Sequence, residues 1–297
     1  LLVGALSKSA IFPFHFWLPG AMAAPTPVSA YLHAAAMVKA GIYLIARLAP
    51  GFAETPFWRP TLIALGVFTM LLGGFQALRE RDLKRILAFG TVSQLGFLTV
   101  MLGYGTRDAA LAGVALLLSH ALFKSCLFLV VGVIDRQLNT RDIGQLSGLG
   151  RQAPVMATAS FIAIFSMAGV IPTLGFVAKE TALTALLHEA EGGAAWGWVA
   201  LIGIVLGSAL TAAYGIRFLW GAYGTKRDVE TTEWPDPPIG FLSAPVLLAA
   251  TSLGLGFLAP IVDHWLAPYA DGLPEATAGV SAPAYPYHLA LWHGLEP

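Results

Sequence analysis

Charge is scarce in this sequence. Only 11% of its 297 residues are Asp, Glu, Lys or Arg, against roughly 25% in soluble domains. Hydrophobic residues make up 57%, and the mean hydropathy is +0.71. Such a chain lacks the polar surface that keeps a domain in water. Lys and Arg number 17, Asp and Glu number 17, and the formal net charge is zero. The basic residues form no long run, which argues against nucleic-acid binding. Cysteine is nearly absent. The single Cys126 excludes an internal disulfide and a cysteine-based zinc or iron–sulfur site. Inside an apolar stretch it reads as a small core hydrophobe. No Walker motif, dinucleotide-binding glycine pattern, H-E-x-x-H or Ser–His–Asp grouping is present. No cofactor or metal is expected. No signal peptide is visible, and the sequence opens on Leu1 within an apolar run. Another apolar run begins at Leu289–Pro297, so a piece of a longer protein is expected.

Long apolar runs are what the chain has. A spanning helix needs about 20 mostly apolar residues. Spans are predicted near 1–18, 29–48, 60–78, 86–104, 109–134, 154–188, 196–221 and 240–262. Strand alternation is missing, so an all-α, polytopic membrane helix bundle is the expected fold. One set of loops carries Arg79, Arg81, Lys84, Arg85, Arg136, Arg141, Arg151, Lys226 and Arg227. The other set carries Arg47, Arg59 and Arg107. The positive-inside rule puts the first set in the cytoplasm. Residues 1–262 are then the transmembrane domain, and 263–297 an extracytoplasmic connection with the start of a further helix. The stretch 154–188 is too long for one straight helix: it would run on the order of 50 Å through a core of about 30 Å. It holds Pro172 and Gly175. Pro172 cannot donate to the carbonyl of Ala168, and Pro13 cannot donate to that of Ser9. Discontinuous helices are therefore expected there, although a simple kink also satisfies the prolines.

The informative residues are ionisable ones inside these spans: Lys8, His33, Lys39, His120, Lys124, Lys179 and Glu180, with Arg217 near a cytoplasmic end. A charge at the bilayer centre costs several kcal/mol, and such residues mark ion or proton routes. Every deep cation is lysine, which can lose its proton when buried, as arginine cannot. Four deep lysines face one deep carboxylate, Glu180. Some lysines must be neutral or paired outside this chain. His120 and Lys124 are four residues apart and stack on one helix face. Histidine titrates near neutrality and suits proton hand-off. The bland alternatives are that Lys8 snorkels to an interface, His33 bonds a loop, and Arg217 is an anchor. Thr91, Ser93 and Gln94 read as interhelical glue.

Several runs resemble the antiporter-like subunits shared by Mrp cation/proton antiporters and complex I. They are Lys8-Ser-Ala-Ile-Phe-Pro-Phe-His-Phe-Trp-Leu-Pro19, Ala24-Pro-Thr-Pro-Val-Ser-Ala-Tyr-Leu-His33 and Met37-Val-Lys-Ala-Gly41. Asp82 to Gln94, His120 to Phe128 and Gly175 to Glu180 follow in the expected order. The resemblance implies two inverted repeats, each with a broken helix, of which this chain would hold mainly the second. It implies a proton path through Lys8, His33, Lys39, His120, Lys124 and Lys179, with Glu180 after the last lysine. It also implies a glutamate partner for Lys8 on a preceding helix. Phe14-His-Phe-Trp17 and Leu289-Ala-Leu-Trp-His-Gly294 look most like the A-type member of the Mrp antiporters. Gly20 and Ala24 depart from the pattern there, where acidic or polar residues are common. The expected function is proton translocation in a multisubunit Na+ (monovalent cation)/H+ antiporter, not an enzyme. The expected partners are other subunits of a membrane complex, protons, Na+ and the lipid bilayer, in a prokaryotic cell membrane. The alternatives are an L-like pumping subunit of NADH:quinone oxidoreductase or a membrane-bound hydrogenase, and an inert scaffold.

Overall fold

The computed structural model describes residues 1–275 and 287–293. The first helix, α1 (Leu2–Lys8), is followed by irregular turns and the single-turn helices α2 (Trp17–Gly20) and α3 (Thr26–Ser29). A π-helical turn over Ala30–Ala35 and a short break lead into α4 (Lys39–Phe52). Next come α5 (Trp58–Arg79), α6 (Leu83–Tyr104) and α7 (Arg107–Leu138). A loop with the short α8 (Leu149–Gln152) leads to α9 (Pro154–Ala168) and α10 (Leu174–Glu191). The chain continues through α11 (Ala195–Tyr223), α12 (Ile239–Phe257) and α13 (Ala259–Ala270). Among the described residues no strand forms beyond an isolated bridge between Asp82 and Asp142. Six stretches among them are long and apolar enough to cross a bilayer: Thr26–Phe52, α5, α6, α7, α11 and α12.

Burial sorts these helices. Every residue of α6 from Gly90 to Tyr104 is buried, so this helix is central. By contrast α11 exposes Ile202, Val205, Leu206, Ile216 and Trp220 along one face. Polar groups at the helix ends tie the bundle together. Asp82 caps α6, accepting from the amides of Lys84 at 2.7 Å and Arg85 at 3.2 Å. Its other oxygen meets Arg141 at 3.1 Å. Backbone bonds from Leu83 to Arg141 and from Ile143 to Arg81, both 2.9 Å, zip these two loops together. The loop after α11 joins them through Thr232 to Ser147 at 2.9 Å. At the opposite end Arg107 pairs with Asp271 at 2.8 Å, and Arg59 donates to the carbonyl of Tyr104 at 2.8 Å. The loops assigned to one side by their charge do meet one another.

Three expected spans are interrupted. The stretch 1–18 is not one helix, because α1 ends at Lys8. The amide of Phe12 donates to the Thr69 hydroxyl at 3.0 Å instead of continuing a helix. The stretch 29–48 is broken at residues 36–38, where Ala36 takes φ −131° and ψ −69°. The freed carbonyl of Val38 accepts from the Ser9 hydroxyl at 2.7 Å. The stretch 154–188 is two helices with a break over residues 169–173. Pro172 lies in that break, but Gly175 does not: it is the second residue of α10. A Cβ there would stand 1.7 Å from the carbonyl oxygen of Ser166, so Gly175 permits close approach and does not break the helix. The turn itself is made by Gly169, whose φ of +82° favours glycine. The boundary expected at residue 262 falls inside α13. Residues 287–293 carry no helix, and residues 294–297 lie outside the described residues, as do 276–286.

Candidate functional site

The middle of α7 gathers the buried cations. Lys39, the first residue of α4, reaches α7 and donates to the carbonyl of Leu117 at 3.0 Å. His120 and Lys124 follow Leu117 at spacings of three and four, on the same face. Lys124 donates to the carbonyl of Leu87 on α6 at 3.2 Å and lies 5.6 Å from the centre of the Tyr214 ring. The Ser119 hydroxyl is 3.2 Å from that of Ser166, which also accepts from the Gly175 amide and from Ser252. The break between α9 and α10 is thereby held against α7 beside His120. Two residues past Ser166, the Ala168 carbonyl accepts from Lys179 at 3.2 Å. This is the carbonyl that Pro172 cannot serve.

Lys39, Lys124 and Lys179 are all buried. Among the described residues none of them has a carboxylate at ion-pair distance. Each ammonium rests on a backbone carbonyl, which is a weak counterpart for a full charge at that depth. The rings of His33 and His120 are fully buried, and none of their nitrogens has a hydrogen-bond partner among the described residues.

Glu180 stands apart from the lysines. Its carboxylate accepts from Thr184 at 3.3 Å and from the Tyr287 hydroxyl at 2.5 Å, with His293 at 3.9 Å. Burial, and then the Glu180 carboxylate, push the Tyr287 phenol up from its ordinary value, so it stays a neutral donor. Lys8, whose expected partner lies on a preceding helix, has no packed neighbour of that kind among the described residues of this chain. It is exposed at the end of α1, and the structure does not bring it to the other lysines. Pro13 does lie in the irregular turns after α1, beside Lys8 in sequence. Arg217 behaves as an anchor, donating to the Glu80 carbonyl at 2.9 and 3.2 Å.

Two buried ionisable residues were not legible as such. Lys84, counted among the loop cations, is 1% exposed and donates to the carbonyls of Met22, at 3.0 Å, and Ala24. Its position three residues before Leu87 is the signal, since α6 is buried on that face. Glu189 is also 1% exposed, just beyond the predicted limit of its span. Placing the end of α10 three residues later would have revealed it.

Broken helices packed around a buried row of lysines, without a carboxylate at ion-pair distance among the described residues, define a polytopic membrane protein of the discontinuous-helix class. Residues 1–211 match the family described as NADH:quinone oxidoreductase/Mrp antiporter, transmembrane. The chain belongs to that family. It is 41% identical over 312 residues to the A-type subunit of the Na(+)/H(+) antiporter of Bacillus subtilis, covering 99% of this chain and 39% of that protein. It is 38% identical over 298 residues to the A/B-type subunit of a probable K(+)/H(+) antiporter of Rhizobium meliloti, covering 99% of this chain and 29% of that protein. Among solved structures, the Mrp complex from Dietzia sp. DQ12-45-1b aligns with a TM-score of 0.85 at 41% identity, over 100% of this chain and 31% of that one. The membrane-bound sulfane sulfur reductase, an archaeal respiratory membrane complex, aligns at 0.78 and 26% identity, over 93% of this chain and 55% of that one. The chain thus spans about two fifths of the length of the curated Na(+)/H(+) antiporter relatives it matches, 39% in the first two.

Proposed function

We propose that the chain is the proton-translocating portion of the A-type subunit of a Mrp-type monovalent cation/proton antiporter. The row Lys39, Lys124 and Lys179 carries this reading, because these three buried amines have no carboxylate at ion-pair distance among the described residues. A lone charge at that depth costs several kcal/mol, so each lysine is poised to hand its proton on. His120 stands between the carbonyl that holds Lys39 and the side chain of Lys124, and serves as the hand-off group. Lys179 continues the row across the Ser119–Ser166 contact. Glu180, with Tyr287 and His293, forms the extracytoplasmic end, while Lys84 and His33 extend the row toward the cytoplasm. Lys8 takes part through a glutamate on a preceding helix, a role that rests on family resemblance.

Inward proton flow would drive a monovalent cation outward. Relatives named for Na(+)/H(+) antiport favour sodium, and the Rhizobium relative named for K(+)/H(+) keeps potassium in view. Other subunits of a membrane complex are the proposed partners, in a bacterial plasma membrane, and residues 1–262 the proposed transmembrane unit. The activity is secondary transport, without a cofactor. The likeness to a respiratory membrane complex supports a second reading, a proton pump driven by redox subunits.

The test uses the full-length protein in its complex, in everted vesicles energised by an independent pump. A fluorescent probe follows the pH gradient when sodium or potassium is added. The expected result is collapse of the gradient by wild type and none by Lys124→Ala or Lys179→Ala, with assembly checked for each. No response to either cation in wild type would favour the redox pump. A response unaffected by both substitutions would make the lysines structural.

A further inference from the structure

We propose that a groove at the cytoplasmic end of α11 binds the anionic headgroup of a phospholipid, with an acyl chain lying along that helix. The groove has a volume of about 570 Å³ and is lined by Arg81, Arg217, Lys226, Ala213, Ile216 and Trp220, among others. Its two halves differ in chemistry. At its rim stand three cationic side chains. Arg217 spends Nε and Nη2 on the Glu80 carbonyl, and Nη1 makes no hydrogen bond among the described residues. Arg81 meets Asp142 only at 3.6 Å and remains well exposed. Lys226 is fixed by the carbonyls of Ile143, Leu146 and Gly221, which hold its charge at the rim without cancelling it. The Glu80 carboxylate is turned away to Arg85 at 2.9 Å. Among the described residues, three cationic side chains line the groove and no carboxylate does; Asp142 lies beside it at Arg81.

The lower half is apolar and faces outward. Trp220 and Ile216, 64% and 66% exposed, continue into Leu206, Val205 and Ile202 at helical spacing. From Ile216 to Ile202 the stripe runs roughly 21 Å, longer than one leaflet of hydrocarbon at about 15 Å. Exposed apolar surface of this kind on a spanning helix is covered by lipid or by another helix. The cations at its head decide for lipid, because basic pockets on the cytoplasmic side select anionic headgroups. A tryptophan beside the cations suits the membrane–water interface. Nothing in the proton relay uses these residues, so this site is independent of the transport reading.

Tryptophan quenching tests it on the assembled complex in phosphatidylcholine vesicles. Brominated phosphatidylglycerol or brominated phosphatidylcholine is titrated in. The signal from Trp220 is the difference between wild type and Trp220→Phe. Quenching at a lower mole fraction of phosphatidylglycerol is expected, with each arginine contributing roughly five-fold to the preference. Arg81→Gln with Arg217→Gln should abolish that preference, and Arg81→Gln alone should weaken it if the double variant fails to assemble. Equal quenching by both lipids would overturn the proposal. Quenching by neither would assign the groove to a neighbouring protein helix and also overturn it. Displacement of brominated phosphatidylglycerol by inorganic phosphate would make this a free-anion site and overturn the proposal as well.

Discussion

A single residue can be tested most directly at Glu180. Its carboxylate receives Tyr287 and Thr184, so Glu180→Gln keeps the shape and most of the contacts while removing the charge. If Glu180 hands protons to the outside, Glu180→Gln should slow proton flux by roughly a hundred-fold or more, the low end of what a positioned acid–base group contributes. Tyr287→Phe removes one hydrogen bond to a carboxylate, about 1.5–3 kcal/mol, and should slow flux less. Equal effects of the two would make the carboxylate a packing residue. The stacking of His120 with Lys124 was legible from their spacing alone, as was the carbonyl of Ala168 left free by Pro172. The exposure of Lys8 and the burial of Lys84 were not. Both depend on which helix face meets a neighbour, and short charged runs at helix ends carry no periodicity to reveal that.

Among the elements, the break between α9 and α10 is the most constrained. Gly175→Ala would place a methyl 1.7 Å from the Ser166 carbonyl oxygen. Overpacking of that kind costs at least about 1–3 kcal/mol. The expected outcome is a lower thermal midpoint and a lower yield of assembled complex, read by size-exclusion chromatography with a fluorescent tag. Unchanged yield and midpoint would show that α10 can shift to make room. This break was legible because the stretch is too long and holds proline. The break before Lys39 was not, because Ala36-Met37-Val38 carries no proline or glycine. There the helix is interrupted by tertiary contacts, among them the Ser9 hydroxyl on the Val38 carbonyl. Propensity alone does not foresee that competition.

Across the whole molecule, the loops sort into two sets, and their ties to one another make the sorting testable. In a Cys126→Ser background, an introduced Glu54→Cys should react with a membrane-impermeant maleimide added to intact cells. Arg227→Cys should react only after the membrane is permeabilised. Both positions are exposed, so access is decided by sidedness. The reverse pattern would invert the assigned orientation and move the lipid groove to the outer leaflet. Six of the expected crossings were legible from length and composition; the rest needed knowledge of how the broken pieces pack.

Lys179 replaces a backbone donor. Its ammonium sits on the one carbonyl of α9 whose regular amide partner is a proline, at 3.2 Å. If that side chain swings away to pass a proton, as the proposed relay requires, the Ala168 oxygen is left bare in an apolar interior, a state that costs several kcal/mol. In the proposed relay the vacated helix end would pull the amine back after each transfer, like a return spring. A defect in one helix would then supply the restoring force that resets the proposed row for its next cycle.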